Sequence, residues 1–216
     1  MEDLSQVLRV RREKLDALRE QNIEPFAYNF SPSHASAGLV TEFEAAEEAE
    51  ALTEGGDGPR ASIGGRIVGW RGHGKSAFAH IEDGHGRVQV YFKKNVIGDE
   101  RFDELDLIDL GDWIGFEGPT FRTRTGEVTI RAESYTLLTK SLRPLPFGKL
   151  ETDAETGERT VHSGFVNQEA RYRQRYADLA VHPDVREVFK TRSRIVTALR
   201  TFLDGEGFLE VETPVL

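Results

Sequence analysis

The sequence predicts an α+β protein in which an N-terminal helix precedes a five-stranded β-barrel and a second long helix begins a further domain. Residues 2–22 repeat leucine and valine at helical spacing, with arginine and lysine on the other faces. Residues 60–140 instead alternate apolar and polar side chains in short runs separated by turn residues, which is typical of strands. Helical periodicity returns from residue 184 and leads to the apolar segment FLEVETPVL, which predicts a strand.

The barrel prediction depends on the order of its elements. Glycine-containing turns at residues 83–86 and 125–126 join strands two and three, and strands four and five, as hairpins. Residues 99–109 carry apolar side chains at helical spacing and lie between strands three and four. Five strands with a helix at that place outline an OB-fold. The predicted strands cover residues 61–70, 76–82, 87–93, 112–122 and 127–138.

The segments around the barrel predict further divisions. Residues 30–37 are predicted to be a loop, residues 41–52 a short acidic helix, and the glycine and proline cluster at residues 55–59 a boundary. After the barrel, residues 142–146 predict an extended linker and residues 171–179 a helix. The predicted domains are a helical extension with an acidic connector (1–58), the barrel (59–141), a linker (142–175) and the beginning of a further domain (176–216).

Composition limits the classes of function. The chain has 216 residues, a formal net charge of -9 and no cysteine, which excludes disulfides and thiolate zinc sites and fits a cytoplasmic protein. No apolar run approaches the ~18 residues of a membrane span, so no membrane partner is expected. Residues 41–58 carry seven acidic residues and no basic one, whereas residues 60–94 carry seven basic and two acidic residues. The acidic total therefore conceals a basic segment, which is either a nucleic-acid surface or an ordinary solvated one.

One motif in the basic segment is misleading. Residues 69–76, GWRGHGKS, match the P-loop pattern of nucleotide-binding proteins. That chemistry needs a helix directly after the loop, so that its N-terminus and the loop amides hold phosphate. The following residues, AFAHIE, alternate as a strand does. We therefore interpret the match as a glycine-containing turn between two barrel strands.

Alternation also predicts which side chains leave the barrel interior. In strands two, three and five the apolar residues occupy alternate positions, so that Phe78, Gln89, Arg131 and Glu133 project outward. Because glycines lie close to Arg71, alternation does not predict which face of the strand carries its side chain. An exposed phenylalanine can stack on a base, while arginine, glutamine and glutamate can hydrogen-bond to base edges, as in the recognition of unpaired RNA. The alternative is that Phe78 packs under the N-terminal helices and the polar residues are ordinary surface.

Other kinds of site have little support in the sequence. The six histidines show no metal-ligand spacing and have no cysteine partners. His73, His80 and His85 are interpreted as loop and strand surface. No nucleophile and base form a recognisable pair, so we predict no catalytic or metal site in this chain.

Five stretches of the sequence have a familiar pattern: RREKLDALREQNIEPF, GKSAFAHIEDGHGRVQVYFKK, TRTGEVTIRAESYTLLTKSLRPLP, NQEARYRQRYADL, and the last helix with FLEVETPVL. Together they resemble the N-terminal part of the bacterial class II lysyl-tRNA synthetase family. The first helix, the barrel core, the final barrel strand with its exit linker, and the entry to the catalytic domain each resemble a family segment. The last stretch resembles motif 1 of class II synthetases, which ends at a proline, here Pro214.

The resemblance implies a fold, partners and site residues. Its fold is an OB-fold anticodon-binding barrel followed by the start of an antiparallel α/β catalytic domain, here the motif 1 helix and strand. In the family the barrel binds the anticodon of tRNA(Lys), with a phenylalanine stacked on the middle base. The matching positions are Arg71, Phe78, Gln89 and Glu133. Motif 1 builds a homodimer interface, and the resemblance places Phe208 and Pro214 there.

The family reaction uses ATP and Mg²⁺ to join lysine to tRNA(Lys) through lysyl-adenylate. The motifs that bind ATP in this family have no counterpart among these residues, so none is assigned to ATP or lysine. We expect this chain to be the front part of a longer enzyme, inactive by itself, because an unpaired apolar strand is an unusual end for a domain. The alternatives are a fragment of an aspartyl- or asparaginyl-tRNA synthetase, and a stand-alone OB-fold binder of single-stranded nucleic acid.

Overall fold

The computed structural model describes residues 6–52, 56–152, 159–162 and 165–214. The chain divides into two compact units, Met1–Pro144 and Leu145–Leu216. The first unit contains the barrel together with the N-terminal helices. The second unit contains a short hairpin and three helices.

The first unit is built on a closed β-barrel, as the sequence predicts. Its strands follow the order β1-β2-β3-β5-β4, and a β1–β4 pairing closes the ring. All pairings are antiparallel except that between β3 and β5. The strands are β1 (Arg60–His73), β2 (Ser76–Glu82), β3 (Arg87–Lys93), β4 (Trp113–Arg122), β5 (Val128–Ala132) and β6 (Ser134–Thr139).

The predicted fifth strand is interrupted, and this corrects the sequence prediction. Residues 127–138 form β5 and β6, which both pair with β4 on either side of a bulge at Glu133. The bulge inserts one extra residue, so the buried positions change from even numbers in β5 to odd numbers in β6. Gly118 faces this bulge, where a Cβ atom would overlap the carbonyl oxygen of Arg131.

The inward faces of the strands fill the barrel with apolar side chains. Ile67, Val90, Phe92, Phe116 and Ile130 are fully excluded from solvent. Turn chemistry between the strands also follows the sequence. The GWRGHGKS segment forms the end of β1, a tight turn with Gly74 in the left-handed region (φ 57°), and the start of β2. A strand therefore follows the glycines, which confirms that the P-loop match is a hairpin turn.

Two N-terminal helices pack against the barrel. Helix α1 (Gln6–Glu20) buries Leu15 and Leu18. Helix α2 (Ser36–Glu48) buries Leu39 and Phe43, and begins within the segment predicted to be a loop. The reason is a contact from another element: the carboxylate of Asp83 accepts hydrogen bonds from the amide and hydroxyl of Ser36, both at 2.7 Å. This carboxylate satisfies the free amide at the start of α2.

A buried ionic cluster fastens α1 to the end of the barrel. The Nζ of Lys140 donates to Asp112 at 2.7 Å, and both side chains are fully buried. Asp109 bridges Lys140 to Lys14 of α1, whose Nζ lies 2.7 Å from it. The guanidinium of Arg11 donates to the carbonyl oxygens of residues 110 and 141. Each buried charge in this cluster therefore has a partner.

The connection between β3 and β4 is helical, as the sequence predicts, but it is divided into short pieces. Two brief helices, α3 (Lys94–Ile97) and α4 (Asp99–Asp103), precede a single 3₁₀ turn (Glu104–Leu107). Gly98 separates the helices with φ 91°, a conformation that favours glycine. Leu105 in this turn and Ile108, the residue directly after it, pack into the barrel core.

The second unit begins with a hairpin that the sequence does not predict. Its strands are β7 (Lys149–Thr152) and β8 (Arg159–His162), which pair antiparallel. Residues 153–158, between the two strands, lie outside the described residues. Three helices follow: α5 (Gln168–Arg173), α6 (Arg175–Val181) and α7 (Pro183–Gly205). The buried carboxylate of Asp178 in α6 connects these helices. It accepts hydrogen bonds from Arg171 of α5 at 2.7 Å and from His182, just before α7, at 2.8 Å.

The strand predicted at the end of the chain is not formed. Residues 208–214 belong to no sheet in the described structure, and residues 215–216 lie outside the described residues. A strand is defined by its hydrogen bonds to a neighbour, and here none of the described strands lies beside this segment. Phe208 and Leu209 remain exposed.

Candidate nucleic-acid interface

Two rows of side chains cross the outer face of the barrel. Residues in register on neighbouring strands project to the same face of a sheet. The pairings of β1, β2, β3 and β5 therefore align their members side by side, and β4 adds one aromatic residue. The first row is Arg71, Phe78, Tyr91 and Arg131; the second row is Gly69, His80, Gln89, Thr129 and Phe121.

Aromatic rings occupy the centre of this face. Phe78 stacks on Tyr91 with ring centroids 4.6 Å apart. Tyr91 meets Phe121 edge-on at 6.2 Å, and the guanidinium of Arg131 lies over Phe121 at 5.4 Å. All four side chains are partly exposed. The face therefore offers a rigid aromatic surface on which a base could stack.

A surface pocket of about 660 Å³ opens over this face. The strands supply most of its lining: Arg71, Gly72, His73, Phe78, Gln89, Tyr91, Phe121 and Arg122. The loop after β4 contributes Thr123, Arg124 and Thr125. The pocket thus combines aromatic rings, an amide and several guanidinium groups.

Hydrogen bonds fix the polar side chains beneath the pocket. Glu127, just before β5, accepts a hydrogen bond from the amide nitrogen of Gln89, and its other carboxylate oxygen lies 2.9 Å from Nε2 of His80. The hydroxyl of Thr129 donates to Oε1 of Gln89 at 3.1 Å. A carboxylate only accepts hydrogen bonds, so the Gln89 amide must present its nitrogen to Glu127. This arrangement leaves one orientation for the amide.

Acidic residues neutralise two of the arginines at the rim. Arg122 binds the carboxylate of Glu47 on α2 with an N–O distance of 2.5 Å. This hydrogen bond lowers the pKa of Glu47, which is partly exposed, and raises the pKa of Arg122. Arg131 forms an ion pair with Asp57. The acidic segment predicted from the sequence thus contacts the edge of the candidate site.

The structure brings together three of the four residues predicted to bind RNA. Arg71, Phe78 and Gln89 line the same pocket. Phe78 stacks on Tyr91 in that pocket. It is therefore not buried under the N-terminal helices, which was the alternative position for its side chain. Gln89 leaves the barrel interior as predicted, but it is only 3% exposed, because Glu127 and Thr129 cover it.

Glu133 occupies a different place from the other three. It is not among the residues that line the pocket. Its carboxylate binds Arg60 at 2.5 Å, and this hydrogen bond lowers the pKa of Glu133. The bulge at Glu133 separates it from the regular outward row of β5.

Sequence reasoning missed several residues of this site, and three of them show why. Tyr91 shares the outward face of Gln89, and alternation would have identified it. His80 was interpreted as surface, although it holds Glu127. Glu127 precedes β5, where alternation no longer predicts direction, and only its contacts with two distant strands reveal its role.

The second unit carries the residues predicted for a dimer interface. Phe208 is 63% exposed and lines an apolar groove with Val196, Leu199 and Leu203 of α7. Pro214 is exposed. Within the described ranges, no three His, Cys, Asp or Glu side chains are grouped to hold a metal ion. A search of the described helices finds none that is long and apolar enough to span a membrane.

Comparisons with known proteins first define a class. The family described as an OB-fold nucleic acid binding domain matches residues 61–138. The family described as tRNA synthetases class II (D, K and N) matches residues 167–216. The barrel is therefore similar to OB-fold nucleic acid binding domains, and the last part of the chain is similar to class II tRNA synthetases.

Individual proteins that are similar along the whole of this chain are all of one kind. The chain is 46% identical to lysine–tRNA ligase from Pelotomaculum thermopropionicum, over 100% of this chain and 38% of that protein. It is 45% identical to lysine–tRNA ligase from Bacillus cytotoxicus and 44% identical to that from Bacillus anthracis, each time over 100% of this chain and 40% of the relative. The chain therefore spans about two fifths of the length of these relatives. The resemblance to the N-terminal part of class II lysyl-tRNA synthetases is confirmed.

Proposed function

We propose that this chain forms the N-terminal part of a lysine–tRNA ligase and that its barrel binds the anticodon of tRNA(Lys). The observation that carries the proposal is the pocket over the outer face, where Phe78, Tyr91 and Gln89 lie together. Unpaired RNA bases are recognised by stacking on aromatic rings and by hydrogen bonds to their edges. This pocket supplies both kinds of contact within a few residues.

Each part of the pocket has a distinct role in this proposal. Phe78 presents its ring to a base while Tyr91 supports it from the adjacent strand. Gln89 lines the pocket with little exposed surface and offers to a base edge the amide N–H and oxygen lone pair that Glu127 and Thr129 leave unused. Arg71 and Arg124 are exposed at the rim and meet the phosphate backbone, as basic side chains do in RNA complexes. Glu133 acts indirectly, by holding Arg60.

The second unit has a separate proposed role. Its segment of motif 1, with Phe208 and Pro214, forms a homodimer interface in a longer protein. The apolar groove at Phe208 and the exposed face of α7 support this, because such a face is stable when it packs on another surface. The longer protein would use ATP and Mg²⁺ to activate lysine in the cytoplasm. In the described part of this chain no group of three His, Cys, Asp or Glu side chains could hold the metal.

The decisive experiment is a titration of this chain with an anticodon stem-loop of tRNA(Lys). A matched stem-loop with a changed middle base is titrated in parallel at one fixed salt concentration, because phosphate contacts depend on salt. We expect the cognate loop to bind at least about tenfold more tightly, which is ~1.4 kcal/mol. Equal binding would contradict anticodon recognition and leave a general OB-fold binder of single strands.

A further inference from the structure

One arginine of the pocket lining is held by acceptors from the protein itself. Arg122 of β4 lines the pocket. Its Nε lies 2.9 Å and 3.0 Å from the two carboxylate oxygens of Glu47, and its Nη2 donates to one of them at 2.5 Å. Its Nη1 donates to the carbonyl oxygen of Gly126 at 2.6 Å. Every nitrogen of this guanidinium group therefore has an acceptor within the chain.

Helix α2 presents a shaped surface to this arginine. Phe43 and Glu47 lie about one turn apart on α2, so both reach Arg122 from the same side. The guanidinium carbon lies 5.6 Å from the centroid of the Phe43 ring. The carboxylate of Glu44 is a second acidic neighbour, 3.9 Å from Nη2. The Arg122 side chain is still 35% exposed, so it lies where the backbone of an RNA strand in the pocket would pass.

The end of the acidic segment holds a second carboxylate beside the same face. Asp57 forms an ion pair with Arg131. The next residue is fixed to β4, because the amide of Gly58 donates to the carbonyl oxygen of Thr120 at 2.7 Å. A Cβ atom at residue 58 would lie 2.6 Å from the Phe43 ring and 2.7 Å from Oγ1 of Thr120, so only glycine fits there. The backbone thus places the Asp57 carboxylate next to its arginine.

Carboxylate and phosphate are equivalent partners for an arginine. Both offer two oxygens to the parallel N–H groups of a guanidinium. A guanidinium that is already neutralised attracts a phosphate less and releases fewer of the cations that surround RNA. Phosphate contacts also occur in every RNA, so they raise affinity without regard to sequence. Arg71 and Arg124 remain exposed at the same rim, whereas each of the other two arginines already binds a carboxylate.

We propose that Glu47 and Asp57 act as internal substitutes for RNA phosphate and so lower the sequence-independent affinity of the pocket for RNA. Each carboxylate occupies one rim arginine that would otherwise contact the RNA backbone. The aromatic rings at the centre of the face remain available, so that binding depends more on bases and less on phosphates. The proposal rests on the proposed function of the barrel in RNA binding. It gives the acidic segment a role beyond the attachment of α2.

The test compares the unsubstituted chain with Glu47→Gln, Asp57→Asn and the double variant. Each protein is titrated at several salt concentrations with oligocytidylate, a single strand that offers phosphates without the cognate anticodon. We expect each single variant to bind this strand about threefold more tightly, and the double variant about tenfold, because each freed arginine gains a phosphate contact. The plot of log affinity against log salt concentration should become steeper by about 0.7 for each freed arginine.

Two further variants separate this effect from a general change in charge. Glu48→Gln removes the same charge from an exposed neighbouring position and should leave the affinity almost unchanged. Glu47→Gln combined with Arg122→Gln should lose the gain, because the freed arginine is then absent. Exposed ion pairs contribute little to stability, so the variants should remain folded, and urea midpoints check this.

Two sets of outcomes distinguish this proposal from the proposed function. Unchanged or weaker binding of oligocytidylate in both Glu47→Gln and Asp57→Asn, or an equal gain in Glu48→Gln, would overturn the substitution of phosphate and leave the ion pairs a structural role. Equal binding of the cognate and changed anticodon loops by the unsubstituted chain would overturn anticodon recognition instead. The expected gain with oligocytidylate would support the substitution in either case.

Discussion

Each unit repeats apolar residues at the period of its own secondary structure, but the two units bury them to different extents. In the barrel, Phe116, Val90 and Ile130 are fully excluded from solvent. On α7 the apolar stripe is exposed, from 38% at Val196 to 66% at Val188. A sheet that closes into a barrel covers its own apolar face, whereas a single long helix needs another surface to cover its stripe. Sequence periodicity thus identifies a face, and only closure of the fold buries it.

The largest expected effect tests the barrel half of this comparison. Phe116→Ala removes a fully buried ring from β4. We expect the free energy of unfolding to fall by about 3–5 kcal/mol, because the lost burial is accompanied by a cavity. Urea denaturation followed by tryptophan fluorescence measures this, with Phe116→Leu as the milder control. A loss below about 1 kcal/mol would mean that the barrel core can repack at this site.

The next effect concerns the outer face of the same barrel. Phe78→Ala should weaken binding of the cognate anticodon stem-loop by about 1–3 kcal/mol, the usual contribution of base stacking. Phe78→Leu keeps an apolar side chain without a ring and should lose nearly as much. The control is Phe26→Ala, another partly exposed phenylalanine of the first unit that does not line the pocket. Unchanged binding by Phe78→Ala would assign Phe78 a packing role beside Tyr91.

A smaller effect concerns the carboxylate that joins α2 to the barrel. Burial raises the pKa of Asp83, but hydrogen bonds from Ser36, His85 and Gly86 outweigh it and leave that pKa below the ordinary 3.8. The stability from this group is therefore present above pH 3.8 and is lost as the pH falls through the lower pKa of the folded form. We expect Asp83→Ala to cost about 1 kcal/mol at neutral pH, as for other lost helix caps.

The pH dependence of that cost distinguishes a charged contact from a packing effect. Urea midpoints are compared for the unsubstituted chain and for Asp83→Ala at pH 7 and pH 3. The difference between the two proteins should shrink at pH 3, because this pH lies below the ordinary pKa of 3.8 and the unfolded chain then binds a proton that the folded carboxylate resists. Asp83→Asn keeps the shape without the charge and should lie between them. A difference that stays constant with pH would exclude a role for ionisation.

The smallest effect tests the helix half of the comparison. Phe202→Ala on α7 removes a side chain that is 62% exposed. We expect the free energy of unfolding to change by less than about 0.5 kcal/mol, in contrast with Phe116→Ala. The free energy of unfolding is measured at two protein concentrations, because self-association of the chain would make it depend on concentration. A larger loss that appears only at the higher concentration would show that another copy covers α7.

Local pattern predicts most of the barrel. The alternation of Val88, Val90 and Phe92 identifies the inward face of β3. Gly74 and Gly126 identify two of the turns that join the barrel strands. The bulge at Glu133 is not predicted, although the buried positions change parity there. The pairing that produces it depends on the close approach of Gly118 to Arg131, which lies in another strand.

The candidate site is predicted less completely, because it is assembled across strands. Arg71, Phe78 and Gln89 follow from residue type, alternation and family resemblance, and they share one pocket. The hydrogen bonds of Glu127 span 47 positions to His80 and 38 positions to Gln89. No periodicity connects residues so far apart. The start of α2 at Ser36 escapes prediction for the same reason, since its partner Asp83 lies 47 positions away.

The sequence by itself determined the barrel strands, their inward faces and the apolar stripe of α7, because alternation, turn residues and helical spacing act within a few residues. The tertiary structure alone decided which outward residues meet, which of them is buried and which amide orientation the pocket presents. Strand register decided these features, because it brings side chains from distant segments into hydrogen-bonding range. Gln89 illustrates the difference: alternation directs it outward, and Glu127 and Thr129 then cover and orient it.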